Sequence, residues 1–382
     1  MLYYLSILIL QAADGTRWEA ACSPLRVFRY ITFRSAGAAL TALLLSWWLG
    51  PRVIAWLKEL KFGQNYKDKA EEAGGLKARV VDKSGTPTMG GVMVVLVVDL
   101  SALLWAQWNS LLVLSLLSLM VLAGLGFYDD YQKVTKQNNK GVKSNFKLWV
   151  QLALGVFIAI YLWWVPETRR LVTDIMIPFY KKPLVQGTAL LGGALVVLTI
   201  MGSSNAVNLT DGLDGLAIGC TLIVCLVFLV FTYVAGNARF AAYLQVPAVH
   251  GAGELSVFIA SMVGACLGFL WYNCHPARVF MGDTGSLALG GALGIVSVLI
   301  HQPFVLFIAG GVFVIEAVSV MLQTGWFRYT RKKYGQGRRL FLMAPIHHHF
   351  EKLGWYESQV VTRFYIVCVV FAVVALSTLK IR

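Results

Sequence analysis

The chain has 382 residues, 58% of them hydrophobic and only 14% charged, with a mean hydropathy of +0.67. So little polar surface cannot cover a water-soluble globule of this size, and the composition implies an all-α integral membrane protein. The net charge of +14 does not point to nucleic acid, because the basic residues gather between apolar stretches and form no zinc-finger or RNA-recognition pattern. Nor do the six cysteines form a C-x-x-C pair that would suggest zinc or a disulfide framework.

In chain order, the opening "MLYYLSILIL" has no basic residue before it and no small-residue cleavage site after it. Residues 1–35 are therefore expected to be a retained N-terminal segment, periplasmic or interfacial. A hydrocarbon core of about 30 Å needs roughly 20 apolar residues per helix. About ten such stretches follow, at 36–57, 89–106, 111–128, 148–165, 187–203, 215–235, 255–273, 285–301, 303–324 and 359–379. They predict a single polytopic membrane domain over residues 1–382.

If ten helices alternate, the odd-numbered connections share one face. Those connections carry 21 Lys and Arg, against 11 on the other face with both termini. The positive-inside rule then places the odd connections in the cytoplasm and both termini in the periplasm. Every dense polar motif falls on the cytoplasmic side: "KSGTPTMGG" (83–91), "FYDDYQK" (127–133), "NAVNLTDGLDG" (205–215), "WYNCHPARVFMGDTGS" (271–286) and "APIHHHFE" (344–351), the last within a loop at 325–358. Five loops distant in sequence can thus converge on one site at the cytoplasmic face.

Asp129 and Asp130 are expected at the end of an apolar helix, one pointing inward and the other toward a neighbouring group, since adjacent side chains cannot share a helix face. Carboxylates at a helix C-terminus oppose the dipole, so a purely structural role would be poorly placed. Asp211 and Asp214, spaced i, i+3, would lie on one side of a helix or turn. Asp283 sits between glycines just before a helix, where a carboxylate can hold a hard cation and free N–H groups can meet an anion. Magnesium favours one or two carboxylates plus phosphate oxygens and water, so Asp283 with one or two other aspartates suits a magnesium diphosphate. The consecutive His347, His348 and His349 cannot all ligate one ion from a regular helix and fit phosphate hydrogen bonding or proton transfer better. Lys83, Lys133 and Lys147 stand beside these motifs, where a bound anion would need them. Asp99 and Glu316 lie inside expected spans, where an ionised carboxylate costs about 2.5–3.5 kcal/mol on insertion scales.

Six words in one order, "YITFR" (30–34), "GTPTMGG" (85–91), "GFYDDY" (126–131), "NAVNLTDGLDGLA" (205–217), "VFMGDTGSLALGGALG" (279–294) and "APIHHHFE", carry a resemblance over Phe28 to Arg382. The chain resembles the phospho-N-acetylmuramoyl-pentapeptide-transferases, of the polyprenyl-phosphate N-acetylhexosamine-1-phosphate transferase superfamily. The resemblance implies a ten-helix, Mg²⁺-dependent and commonly dimeric enzyme of the bacterial cytoplasmic membrane. Its reaction would move phospho-N-acetylmuramoyl-pentapeptide from UDP to undecaprenyl phosphate, giving lipid I and UMP. Carried onto matching positions, it implies Asp283 as metal ligand, joined by Asp211, and Asp129 and Asp130 at the lipid-phosphate end. Asn208, Asp211 and Asp214 would belong to the metal and nucleotide pocket, and Phe280 would stack on uracil. Lys83, Lys133, Lys147, Asn273 and the three histidines would complete the polar shell. A sibling transferring N-acetylglucosamine 1-phosphate to the same lipid is the nearest alternative, and a secondary transporter using Asp99 and Glu316 is a more distant one.

Overall fold

The computed structural model describes residues 1–60, 85–136 and 141–380. Lys83 lies outside the described residues. Among those described there is no strand; Ile175 and Val185 form an isolated antiparallel bridge. Apart from short helices at Glu19–Cys22, Arg170–Thr173 and Ala238–Leu244, the α-helices are α1 (Leu2–Ala13), α2 (Ile31–Glu59), α3 (Gly91–Trp105), α4 (Ser110–Thr135), α5 (Ser144–Trp164), α6 (Ala189–Thr210) and α7 (Leu216–Ala235). They continue with α8 (Gly253–Asn273), α9 (Gly282–Leu299), α10 (Pro303–Ala309), α11 (Gly311–Tyr334), α12 (Ile346–Lys352) and α13 (Glu357–Ser377). Helices are what long apolar runs must form in a bilayer, because each backbone N–H and C=O has to find its partner within the segment.

Eight of these helices are long and apolar enough to cross a membrane, and nine spans result if α10 and α11 count together. The expected span at 89–106 is the 15-residue α3, which extends only about 22 Å at 1.5 Å per residue. The expected span at 303–324 is not straight: α10 and α11 meet at 82° across Gly310.

Small residues decide which helix occupies the centre. In α9, 89% of the apolar window is buried, and in α8 83%, whereas α2, α5, α6 and α13 bury only 22–33% and turn apolar side chains such as Trp164 and Val373 outward. The α9 sequence "GDTGSLALGGALG" removes the side chains that would hold neighbours away. A Cβ on Gly290 would meet the backbone of Ser203 and Ser204 in α6, and one on Gly126 of α4 would overlap the Asp283 carbonyl. This is the packing that small residues permit between membrane helices.

The two ends of the bundle are distinguished by α3 and α8. At one end, Glu254 of α8 forms a bidentate pair with Arg34 of α2, at 2.5 and 2.7 Å, and accepts the Gln107 N–H at 2.7 Å. At the other, the Gly90 and Gly91 N–H groups donate to Phe280 and Met281 carbonyls, which docks the start of α3 against the start of α9. Asp99, within α3, has a buried Oδ1 with no hydrogen-bond partner among the described residues.

Candidate active site

The site grows from the contact of α4 with the N-terminus of α9. Helix α4 runs to Thr135, so Asp129 and Asp130 are not at its end as the sequence suggested, and both are buried. The two adjacent carboxylates diverge as the helical rotation requires. Asp130 accepts the Asp283 N–H at 3.2 Å, the Thr284 N–H at 3.0 Å and the Thr284 hydroxyl at 2.8 Å. It therefore acts as a cross-helix cap on α9, meeting first-turn N–H groups that no carbonyl of that helix can reach.

Asp129 turns the other way. Its Oδ1 accepts the Val142 N–H at 2.7 Å, while its Oδ2 lies 2.5 Å from Lys133 Nζ and 2.9 Å from Lys147 Nζ. The same two ammonium groups reach Asp283 Oδ2, at 3.2 Å from Lys133 and 2.6 Å from Lys147. Asn208, near the end of α6, donates to Asp283 Oδ1 at 3.0 Å and to Ser286 Oγ at 2.8 Å. Three helices, α4, α5 and α6, thus deliver one polar group each, or more, to Asp283 on α9. Below them a side-chain ladder of Asn205, Gln151, Ser204 and the Leu287 carbonyl ties α5, α6 and α9 together.

One oxygen from each of Asp129, Asp130 and Asp283 lies within 4.8 Å of the others, a donor set that could hold a metal ion. All three donors are carboxylate oxygens, the chemistry hard divalent cations select. Lys133, Lys147 and Asp283 are 22%, 19% and 16% exposed, so this group opens outward while Asp129 and Asp130 line its floor. Asp211 does not belong to that oxygen cluster: helix α6 stops at Thr210, and Asp211 is its C-cap.

The turn after α6 separates Asp211 from Asp214, which therefore do not share a regular helical face. Asp214 accepts the Ala277 N–H at 3.2 Å and meets His275 Nδ1 at 3.1 Å, and its own N–H donates to Glu357 Oε1 at 2.8 Å. Asp214, His275 and Glu357 form a second group whose ligand atoms lie within 4.8 Å. Asn273 braces the same corner, accepting the Gly215 N–H at 3.1 Å and donating to the Val279 carbonyl at 2.8 Å. Gly215 has φ of 82°, the left-handed region that glycine enters without strain, which lets the chain turn directly into α7. Phe280 is held by backbone bonds to Pro87 and Gly90, and its side chain is half-buried.

The three histidines lie on α12 and disperse. His347 is fully buried with Nδ1 3.1 Å from Glu316 Oε2, His348 pairs with Glu351 at 2.8 Å, and His349 Nδ1 accepts the Leu342 N–H at 3.1 Å. Burial holds the His348 imidazole below its ordinary pKa, with the Glu351 carboxylate opposing. The sequence reasoning missed Thr284, Ser286, His275 and Glu357. The first two stand inside the "GDTGS" word and were legible as hydroxyls beside Asp283; the last two carried no local signal.

A bundle of apolar helices with an oxygen-rich cluster and two paired lysines at one end defines a class of membrane protein suited to phosphate chemistry, and the profile of glycosyl transferase family 4 matches residues 111–301. That interval covers the helices from α4 through α9, which contain Asp129, Asp130, Asn208 and Asp283. The chain is 50% identical over 359 residues to the phospho-N-acetylmuramoyl-pentapeptide-transferase of Methylacidiphilum infernorum, covering 94% of this chain and 96% of that one. It is 48% identical to those of Opitutus terrae and Neisseria gonorrhoeae, in each case over 94% of this chain and 96% of the relative. The chain belongs to the phospho-N-acetylmuramoyl-pentapeptide-transferase family.

Proposed function

We propose that this protein transfers phospho-N-acetylmuramoyl-pentapeptide from UDP-N-acetylmuramoyl-pentapeptide to undecaprenyl phosphate, forming lipid I and UMP for peptidoglycan synthesis. The observation that carries the reading is the cluster of Asp129, Asp283, Lys133 and Lys147 at one end of apolar helices. A polyprenyl chain must stay in the bilayer while a nucleotide stays in water, so the reacting phosphates can meet only at that boundary.

The attacking group is a phosphate monoester oxygen, whose second pKa is about 6, so it is mostly ionised at neutral pH. No strong general base is needed, and the main barrier is bringing one anion onto another. Lys133 and Lys147, each already spanning two carboxylates, place two positive charges where phosphate oxygens would gather. Mg²⁺ fits the oxygen-only donor set; Asp283 and Asp129 would hold it, and it would supply further charge neutralisation on the diphosphate. Asn208 fixes the rotamer of Asp283, and Asp130 fixes the helix that carries it. Asp211, Asp214, Asn273, Phe280, Lys83 and the histidines would form the nucleotide and sugar side of the pocket.

The same reading includes ten spans with α3 and the bent α10 and α11 among them, both termini in the periplasm, and the cluster at the cytoplasmic face of the bacterial inner membrane. It also includes a homodimer, and one domain over residues 1–382; a single contiguous apolar core running from α2 to α13 supports the single domain. The test is UMP release by purified protein supplied with both substrates, with and without Mg²⁺. Mg²⁺-dependent UMP and a lipid-linked product are expected; no release from folded protein, with release from UDP-N-acetylglucosamine instead, would replace this donor by its sibling.

A further inference from the structure

Glu316 has no part in the cluster around Asp283, yet it is a carboxyl in the first turns of α11 with no exposed surface. Burying such a group is costly unless a partner compensates it. Its partner comes from another helix: His347 Nδ1 lies 3.1 Å from Glu316 Oε2, and the histidine is also fully buried. The approach is off the angle of a regular hydrogen bond, and among the described residues neither ring nitrogen nor either carboxyl oxygen has another hydrogen-bond partner. His348 and His349, by contrast, are engaged by Glu351 and the Leu342 N–H. The opposite edge of the His347 ring presses on the turn between α6 and α7, where a Cβ on Gly212 would overlap Nε2.

We infer that Glu316 is a positioning residue for the transfer reaction, holding the His347 ring against Gly212 and so fixing the turn that carries Asp211 and Asp214. The inference rests on the transferase reading above. With the ring proton on Nδ1 beside the carboxyl, Nε2 remains an acceptor directed at the turn. Gly212 is the residue that permits this contact, since any side chain there would displace the ring. The path from Glu316 through His347 to residues 211–214 joins α11, α12 and the turn, three segments with no sequence proximity. Its consequence falls on the nucleotide donor, because the proposed function assigns Asp211 and Asp214 to the nucleotide side of the site.

The test is steady-state kinetics of Glu316→Leu, Glu316→Gln, Gly212→Ala and His347→Ala, with the double variant Glu316→Leu/His347→Ala, all checked for monodispersity and melting temperature. Glu316→Leu is expected to raise the donor KM about tenfold and leave the undecaprenyl phosphate KM unchanged. Glu316→Gln, which keeps the shape and a hydrogen-bonding oxygen, is expected to restore most of that loss. Gly212→Ala should reproduce the Leu phenotype, and it carries the test if Glu316→Leu does not fold. In the His347→Ala background Glu316→Leu is expected to add less than a twofold change. Losses that multiply in the double variant, or a fall in kcat alone with both KM values unchanged, would overturn the inference. Wild-type UMP release is the control: its absence removes the transferase reading, whereas its presence leaves the variants to judge Glu316 alone.

Discussion

The bundle buries charge at both ends, in two different ways. At the Glu254 end one guanidinium meets one carboxylate in a bidentate pair, a backbone N–H takes up a further lone pair, and both side chains are buried. At the Asp283 end three carboxylates share two lysines, and the lysines and Asp283 keep part of their surface. A charge-balanced pair locks α2 to α8, each charge met by the other. An open cluster with an excess of carboxylate over ammonium is held together less tightly by its own members and can accept a cation and phosphate oxygens in exchange.

The comparison breaks if the open cluster proves as inert as the charge-balanced pair. The largest effect should come from chelating divalent ions, which is expected to abolish UMP release and to be reversed by added Mg²⁺, with the melting temperature as a control for unfolding. Asp283→Asn should follow with a loss of about 10³-fold in kcat, the scale seen when a main electrostatic contact to the reacting groups is removed. Asp129→Asn should cost less, because the two lysines keep their contacts to Asp283. Equal losses for the two, measured on folded protein, would mean that Asp129 and Asp283 are one functional unit.

The charge-balanced pair should respond in stability, not in chemistry. Arg34→Met alone leaves Glu254 buried and uncompensated, and a cost of about 3–5 kcal/mol is expected. The double replacement Arg34→Met/Glu254→Leu should recover much of it, read as melting temperature in detergent, with turnover per folded molecule within about twofold of wild type. Asp130 is an intermediate case, and Asp130→Ala should remove the cap of α9 at about 1–2 kcal/mol. Its turnover should also fall, because Asp283 is the residue whose N–H the cap holds.

How far the sequence reveals this layout depends on the range of the interaction. Apolar runs located α2 to α11 and α13, since length and hydropathy are local properties. The bend at Gly310 was hidden because both flanks of "IAGGVF" are apolar; beside it Phe371 of α13 packs so closely on Gly311 that a side chain there would overlap its ring. Asp129 and Asp130 were singled out together, and only the tertiary structure separates one that meets lysines from one that caps a helix. The spacing of Asp211 and Asp214 suggested a shared face, but helix α6 ends between Thr210 and Asp211 and turns Asp214 toward His275. Glu316 was noticed as a costly residue without a partner, because His347 approaches from a helix that begins 30 residues further on.

The smallest expected effect sharpens the contrast at the Glu254 end. His301, between α9 and α10, is buried there, and burial pulls its pKa down from 6.5 to about 4, with Asp174 opposing the shift. Above pH 6.5 the imidazole is neutral in both folded and unfolded chains, and its contribution to stability is fully present. As pH falls from about 6.5 toward 4 the unfolded chain takes up a proton that the folded chain refuses, so stability declines by up to about 1.4 kcal/mol per pH unit. Between pH 7 and pH 6 the loss should stay below about 1 kcal/mol. His301→Phe should flatten the melting temperature over this acid range and leave UMP release at neutral pH unchanged. A variant that altered turnover instead would place His301 in communication with the opposite end, and the division between a structural end and a reactive one would fail.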